Sequence, residues 1–191
     1  VTEATGVPAG HVFLACSHTH GGPLMYSDFA GFSAAHEAYL ETLYHYIAGA
    51  AQQAANAAIP VCYGHARKEV RLGANRRERQ ADGTTKIGVD LDAPVAPWTD
   101  VICFDRADGS GTLAMLYQHA VHGTCMQGDN YLFTADTMGY AMRLIEQQLS
   151  GSTALFLNGC AGNINPHPRG NYIHAERHGT RLGAATLQAI K

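Results

Sequence analysis

The feature that most constrains the fold is an apolar run, residues 12–16, that leads directly into Ser-His-Thr-His-Gly-Gly-Pro at 17–23. The run predicts a buried strand, and residues two apart on a strand point to one face. His18 and His20 would then project together at the carboxyl end of the strand, where an open α/β sheet usually holds its ligand. Neutral imidazoles are the commonest metal ligands, so this pair could supply half of a zinc shell. A polar strand end that binds nothing is the alternative.

Length and charge limit the classes of function. The chain has 191 residues, 46% of them hydrophobic, and a net charge of −3 without a basic block. One domain (1–191) with a sizeable core is expected, and neither nucleic acid nor a membrane surface is indicated as a partner. No apolar run is long enough for a transmembrane segment, and no signal peptide is recognisable. Because no initiator methionine precedes Val1 and Lys191 closes an amphipathic helix, we expect a piece of a longer protein.

The pattern along the chain predicts an α/β fold, a mixed sheet with flanking helices and an active site at strand carboxyl ends. A helix over about 33–58 and a strand at 61–66 would complete a strand, helix, strand unit in the first third. Residues 72–98 are rich in Gly, Asp, Asn, Arg and Pro, which favours an excursion over the surface. The turn at 108–111, between two apolar runs, predicts a β-hairpin.

The last third predicts a helix, a buried strand and a final helix. The first helix would be capped by Asp136 and reach about Leu149, followed by a strand at 154–157 and a helix over about 173–190. The five dispersed cysteines form no CxxC pair, which favours buried free thiols over a disulfide.

Three predicted strand ends carry polar groups: His18 with His20, His119 with His122, and a Gly-Cys-Ala-Gly-Asn turn at 159–163. If these strands share a sheet, the groups converge on one pocket, as a metal-assisted hydrolase requires. His119 lies three residues before His122, so on a strand the two face opposite sides, and a structural role is favoured for His119.

In four ordered blocks the sequence resembles the neutral/alkaline non-lysosomal ceramidase family, in its amino-terminal catalytic domain, as a distant member. The blocks are residues 12–23; Asn75-Arg76; 120–124 followed by 128–130, Ala135-Asp136 and Gly139-Tyr140; and 162–166. The resemblance implies a Zn²⁺-dependent amidase that cleaves the N-acyl bond of ceramide, and hence a lipid or other small acylated substrate. By position, His18 and His122 resemble the family's zinc ligands. His20 resembles its second active-site histidine, which lies beside the metal, and Arg76 resembles its active-site arginine.

The chain departs from the family pattern in two respects. The glutamate and tyrosine that complete the family's zinc shell come from later in the catalytic domain, so two histidines alone should bind zinc weakly. Asn165 stands where the family has a catalytic serine, and an amide cannot serve as a hydroxyl nucleophile. Asn165 could donate to an oxyanion while water attacks; alternatively the substrate is not ceramide, or the chain is a catalytically inactive ligand-binding relative. A metal-free structural domain is a third alternative.

Overall fold

The computed structural model describes residues 1–25 and 33–191, which form two compact units. The first unit comprises the described parts of Val1–Leu14 and Pro23–Pro60, and the second comprises Ala15–Gly22 and Val61–Lys191. That the 191 residues make up one partial catalytic domain stays a prediction. No helix among the described residues is long and apolar enough to cross a bilayer.

The first unit is helical. It contains α1 (Thr2–Thr5), a 3-10 turn (Ala9–His11) and the long helix α2 (Ala34–Asn56). Ser33 precedes α2 and forms a capping box with His36, in which each side chain satisfies a backbone N–H that the helix leaves open. The helix expected over about 33–58 is therefore confirmed.

The second unit contains two sheets and two helices. Its elements are β1 (Val61–Glu69), β2 (Gly73–Arg79), β3 (Thr85–Asp90), β4 (Trp98–Arg106), β5 (Thr112–His119), α3 (Asp136–Gln148), β6 (Thr153–Asn158), β7 (Ile164–Pro166) and α4 (Tyr172–Ala189). The first sheet has the strand order β1-β4-β5-β6, with antiparallel pairs at β1-β4 and β4-β5 and a parallel pair at β5-β6. This arrangement confirms the mixed sheet.

The β4-β5 hairpin forms where its turn chemistry predicts. Gly109 has a φ of 78°, a left-handed conformation that glycine adopts without steric cost. The Asp108 carboxylate accepts a hydrogen bond from the Ser110 backbone N–H at 2.9 Å. The turn sets the register, so that Val101 lies opposite Tyr117.

The core lies between one face of the first sheet and helices α3 and α4. Val101, Met115 and Tyr117 on the sheet and Ile145 and Leu182 on the helices are all at most 1% exposed. Burial of such a side chain stabilises the fold by about 1.5–3 kcal/mol. The two helices pack closely: a Cβ on Gly179 of α4 would lie 2.6 Å from the Thr137 carbonyl oxygen of α3.

The second sheet, with strand order β3-β2-β7, shows that the expected surface excursion over 72–98 was wrong. β2 pairs antiparallel with β3 and with β7, so that Ala74 lies opposite Asn165. Ala74 and Asn75 are buried in consequence. The pairing with β7 joins residues about ninety positions apart in sequence, which local composition does not reveal.

The strand predicted at residues 12–16 was also wrong. This segment has no regular secondary structure, and Phe13 and Leu14 are 79% and 68% exposed. Among the described residues no strand lies beside it to supply hydrogen bonds. The strand, helix, strand unit expected in the first third is therefore not formed.

The cysteines are all free, as expected, but three of them are not buried. Cys103 and Cys125 are buried, whereas Cys16, Cys62 and Cys160 are exposed. Burial raises the pKa of the Cys125 thiol to about 12. Cys125 is therefore a neutral thiol at physiological pH and packs as a small apolar residue.

Candidate metal centre

Three histidines from two distant segments lie together in the second unit. His18, His20 and His122 each offer a ring nitrogen, and these nitrogens all lie within 4.8 Å of one another. The Nε2 atoms of His18 and His20 are 3.5 Å apart, and the rings of His18 and His122 have centroids 4.6 Å apart. Three imidazole nitrogens this close together can share one metal ion, which suits the cluster better than hydrogen bonds between its rings.

His122 is held by the loop that follows β6. Its Nδ1–H donates to the Ala161 carbonyl oxygen at 2.7 Å, with the Ile164 carbonyl oxygen at 3.1 Å. A carbonyl can only accept, so Nδ1 carries the proton and Nε2 keeps its lone pair. A backbone carbonyl on the far ring nitrogen is the usual support of a metal-binding histidine.

Residues 18–20, the histidine segment, run beside the residues that follow β5 and so approach His122. Thr19 forms an isolated parallel bridge with Gly123, and the His20 N–H donates to the Gly123 carbonyl oxygen at 3.0 Å. The Thr19 hydroxyl also donates to the Thr134 carbonyl oxygen at 2.7 Å. These bonds fix both flanking histidines by holding the residue between them.

Close approach at this crossing leaves no room for a side chain at position 123. A Cβ on Gly123 would lie 2.7 Å from the His18 carbonyl oxygen and 2.8 Å from the Thr19 Cα. His18 itself has a φ of 61°, a left-handed conformation that costs a non-glycine residue about 1–3 kcal/mol and is concentrated at functional sites.

The electrostatics favour neutral imidazoles at His20 and His122. Burial lowers the pKa of His20, and the charges of His18 and Arg76 lower it further. Burial and the Arg76 charge also lower the pKa of His122. Metal ligation requires the unprotonated imidazole, so the lowered pKa values of His20 and His122 favour ligation, and the three imidazole donors fit zinc.

Arg76 lies on β2, next to the glycine-rich loop. Its backbone N–H donates to the Asn163 carbonyl oxygen at 2.7 Å, and its Nε donates to the Gly162 carbonyl oxygen at 3.0 Å. The two terminal nitrogens of the half-buried guanidinium have no hydrogen-bond acceptor within residues 1–25 and 33–191. They are therefore available to an anionic group.

Asn165 lies on β7, next to Ile164, whose carbonyl oxygen accepts from the His122 backbone N–H at 3.1 Å. Asn165 is 6% exposed, and its Oδ1 has no hydrogen-bond partner among the described residues. The neighbouring Asn163 uses its side-chain Nδ2 to donate to the Pro94 carbonyl oxygen at 3.3 Å. The Asn165 Nδ2, in contrast, donates no side-chain hydrogen bond to a described residue.

The site lies partly at strand carboxyl ends. His122 follows β5 and the 159–163 loop follows β6, and these strands are parallel neighbours. Their carboxyl ends therefore meet at one edge of the sheet. His18 and His20 come instead from an irregular segment with a single bridge residue.

The sequence predicts structural roles for His119 and Asp136, and both residues are buried. His119 is 1% exposed, and its Nδ1–H donates to the Trp98 carbonyl oxygen at 2.8 Å, which confirms a structural role. Asp136 does not cap α3 as expected: Ala135 is the N-cap residue. The Asp136 carboxylate instead accepts from the Met126 N–H at 3.0 Å and the Thr137 N–H at 2.6 Å.

Sequence reasoning did not single out Arg169. Its side chain lines a cavity beside His20. The local sequence Pro-Arg-Gly indicates only a turn, and no spacing rule connects it with the histidines. The loop that carries Arg169 begins directly after residues 162–166, the fourth block of the resemblance. This position was the one sequence signal that could have indicated Arg169.

No protein-family model and no curated protein matches the sequence. Solved structures do match: neutral ceramidase from Pseudomonas aeruginosa, at 23% identity and a TM-score of 0.67, and a ceramidase complexed with C2, at 24% identity and a TM-score of 0.70. The chain shares the fold of neutral ceramidase. Each match covers 92% of this chain and 30% of the ceramidase chain. The resemblance to ceramidase is thereby confirmed at the level of the fold.

Proposed function

We propose that this chain carries part of the active site of a zinc-dependent hydrolase that cleaves the N-acyl amide bond of ceramide or a related acylated substrate. The main support is the grouping of His18, His20 and His122, whose ring nitrogens lie within 4.8 Å of one another. These residues stand in the sequence blocks that resemble the ceramidase family, and the fold is that of ceramidase.

His18 and His122 would hold the zinc ion. The chemistry that zinc supplies when bound is polarisation of the substrate carbonyl. His122 is prepared for ligation because its Nδ1–H is already bonded to Ala161 and its Nε2 lone pair is free. A four-coordinate shell needs further ligands, which the resemblance places in a part of the catalytic domain beyond these blocks.

His20 would move protons. Its lowered pKa keeps the ring neutral near pH 7, so it can accept a proton from the water that attacks the amide carbon. The same ring can return that proton to the amine as the C–N bond breaks. Water and amide are thereby converted into a carboxylic acid and an amine.

Arg76 and Asn165 would stabilise the oxyanion that forms during attack. The guanidinium of Arg76 is half-buried, where an interaction between opposite charges is stronger than in water. Asn165 offers an amide N–H as a second, neutral donor. Since Asn165 has no hydroxyl, the mechanism uses water and not a side-chain nucleophile.

The same residue favours a second candidate function, a catalytically inactive relative that binds an acylated ligand. Asn165 stands in place of the family serine, and its buried Oδ1 has no hydrogen-bond partner in the described part of the chain. Such a protein would bind zinc and ligand without releasing a fatty acid.

Elemental analysis of the full-length protein tests both candidates. We expect near-stoichiometric zinc in the wild type, loss of zinc in His18→Ala and His122→Ala, and zinc-dependent release of fatty acid from an N-acyl substrate. His65→Ala is the matched control, because His65 is an exposed histidine on β1 that contacts Asp100. Zinc without cleavage of any N-acyl substrate would favour the binding protein. Absence of zinc from the wild type would contradict the proposed metal site and favour a metal-free structural domain.

A further inference from the structure

A cavity of about 370 Å³, lined mostly by polar side chains, lies next to the histidine cluster. This volume is in the range of small-molecule sites, which are usually lined by apolar and aromatic side chains. Here, of the lining side chains that the structure describes, only Met126 is apolar. The polar members of the lining are His20, Thr124, Gln127, Asn130 and Arg169.

Arg169 brings a positive charge to this cavity. Its one side-chain hydrogen bond to a described residue is a long one, from Nη1 to the Thr124 hydroxyl oxygen at 3.4 Å. Within the described ranges no carboxylate lies at ion-pair distance from its guanidinium. A half-buried arginine without an acidic partner leaves its charge available to a ligand.

Of the described acidic residues, Asp136 and Asp129 contact or adjoin the cavity lining, and neither forms an ion pair with Arg169. Asp136 is 2% exposed, and its two carboxylate oxygens accept from the backbone N–H groups of Met126 and Thr137. Asp129 is exposed and does not line the cavity. Arg76 adds a second positive charge on the side of the histidines, and the charge of Arg169 helps to lower the pKa of Arg76 after the effect of burial.

The loop that carries Arg169 is fixed on three sides. The His167 N–H donates to the Leu72 carbonyl oxygen at 3.1 Å, and the Gly170 N–H donates to the Cys125 carbonyl oxygen at 2.7 Å. Between them, the Pro168 carbonyl oxygen accepts from Nε2 of the buried His178 at 2.8 Å. The position of the arginine backbone is therefore set before any ligand binds.

We propose that Arg169 is a specificity-determining residue that binds an anionic group of the substrate, a carboxylate, sulfonate or phosphate close to the scissile amide. The inference rests on the proposed function, because the cavity is taken as the substrate site only through its contact with His20. A planar guanidinium binds such oxyanions through paired, charge-assisted hydrogen bonds. The polar side chains of the lining suit the amine portion of an acylated amine. The substrate class is thus an N-acyl amine with an acidic amine portion.

Matched amides separate this proposal from simple amidase activity. N-hexanoylglycine, N-hexanoyltaurine and phosphorylated N-hexanoylethanolamine carry the three anions, and N-hexanoylethanolamine is the neutral reference. For the full-length zinc-loaded protein we expect kcat/KM to be about 10-fold or more higher for at least one anionic amide than for the neutral one. The anion preferred among the three identifies the group that Arg169 binds. Equal kcat/KM values for all four would overturn the proposal while leaving the hydrolase in place.

Variants of Arg169 test whether this side chain causes the preference for anionic amides. Arg169→Met should reduce the ratio of anionic to neutral kcat/KM about 10-fold to 100-fold, mainly through KM, and Arg169→Lys should keep part of the ratio because it keeps the charge. Arg79→Met is the control, since Arg79 is an exposed arginine outside the cavity lining. A ratio that Arg169→Met leaves unchanged would overturn the assignment.

Calorimetric binding to metal-free protein keeps the test independent of catalysis. N-hexanoylglycine should bind more tightly than N-hexanoylethanolamine to the wild type, and Arg169→Lys, the variant with less risk of misfolding, should weaken this difference. If the protein holds no zinc and cleaves no amide but binds the anionic amide through Arg169, the proposed function fails and the anion site stands. If neither anionic nor neutral amide binds, the anion site fails.

Discussion

The Nδ1 atom of His122 lies 2.7 Å from the carbonyl oxygen of Ala161, so the loop after β6 sets the tautomer of a histidine that follows β5. The two strands are parallel neighbours, which places the carbonyl and the imidazole at the same edge of the sheet. Because this support comes from the backbone, it does not depend on the side chain at position 161. The unprotonated Nε2 of His122 is left free to bind a metal ion together with His18 and His20.

Gly123→Ala should disturb the histidine cluster. The added Cβ would lie 2.7 Å from the His18 carbonyl oxygen and from the Met138 Cε, so the histidine segment must move away from His122. We expect zinc affinity to fall about 10-fold to 100-fold and stability to fall by about 1–3 kcal/mol. Zinc titration and thermal unfolding measure the two effects. Gly64→Ala is the control, because its Cβ would meet nothing within 4 Å; wild-type zinc affinity in Gly123→Ala would contradict the prediction.

Arg76→Met should lower the rate without removing the metal. Arg76 contacts the Gly162 carbonyl oxygen and no histidine nitrogen, so zinc content should match that of the wild type. Loss of a charged oxyanion donor should lower kcat/KM about 100-fold to 1,000-fold, and Arg76→Lys should recover part of it. Steady-state kinetics with elemental analysis make the comparison. A loss of zinc that parallels the loss of rate would assign Arg76 to the support of the metal site instead.

Substitution of Asn165 separates the hydrolase from the inactive relative. If its amide donates to the oxyanion, Asn165→Ala should lower kcat/KM about 10-fold to 100-fold. Asn165→Asp should lower it more, because a carboxylate repels the oxyanion. Asn165→Ser restores the hydroxyl of the family, and fatty acid release that appears only in this variant would support the inactive relative. Circular dichroism provides the folding control.

Acidification should destabilise the fold through His119. Burial lowers the pKa of His119 to about 4, whereas an unfolded histidine titrates near pH 6.5. Between these values the unfolded chain binds the extra proton, so stability falls as the pH drops from about 6.5 to about 4, by roughly 3 kcal/mol in total. Above pH 6.5 this loss is absent.

Denaturant unfolding at pH 7, 5.5 and 4.5 measures this loss. His119→Gln keeps a donor for the Trp98 carbonyl oxygen but cannot titrate. It should be somewhat less stable than the wild type at pH 7 and should lose less stability on acidification. Parallel losses in the two proteins would assign the pH dependence to other groups, among them the buried His178, whose pKa burial also lowers.

Sequence patterns were reliable where the structure is local. The β4-β5 hairpin follows from a turn whose residues suit positive φ angles and side-chain bonds to the backbone. The helix α4 (Tyr172–Ala189) follows from apolar residues at helical spacing, and its start is fixed by Asn171, whose side chain accepts from the His174 N–H. Each depends on residues only a few positions apart.

Sequence patterns were unreliable where pairing is distant. The composition of residues 72–98 is that of a loop, yet β2 pairs with β3 on one edge and with the distant β7 on the other. The apolar run at 12–16 has the composition of a strand, yet no strand of the described residues pairs with it. Whether a segment becomes a strand depends on a partner that its own residues do not specify.

The sequence by itself determined the chemistry that this protein has available: two histidines two residues apart, a third at His122, an arginine at position 76 and an amide in place of a serine. Only the tertiary structure decided which of these groups meet. It brings His18 and His20 against His122 through a crossing that Gly123 permits, and it adds Arg169 to the adjoining cavity. The reason is physical: residue type sets what a side chain can donate or accept, whereas proximity comes from long-range backbone pairing and packing that involve the whole chain.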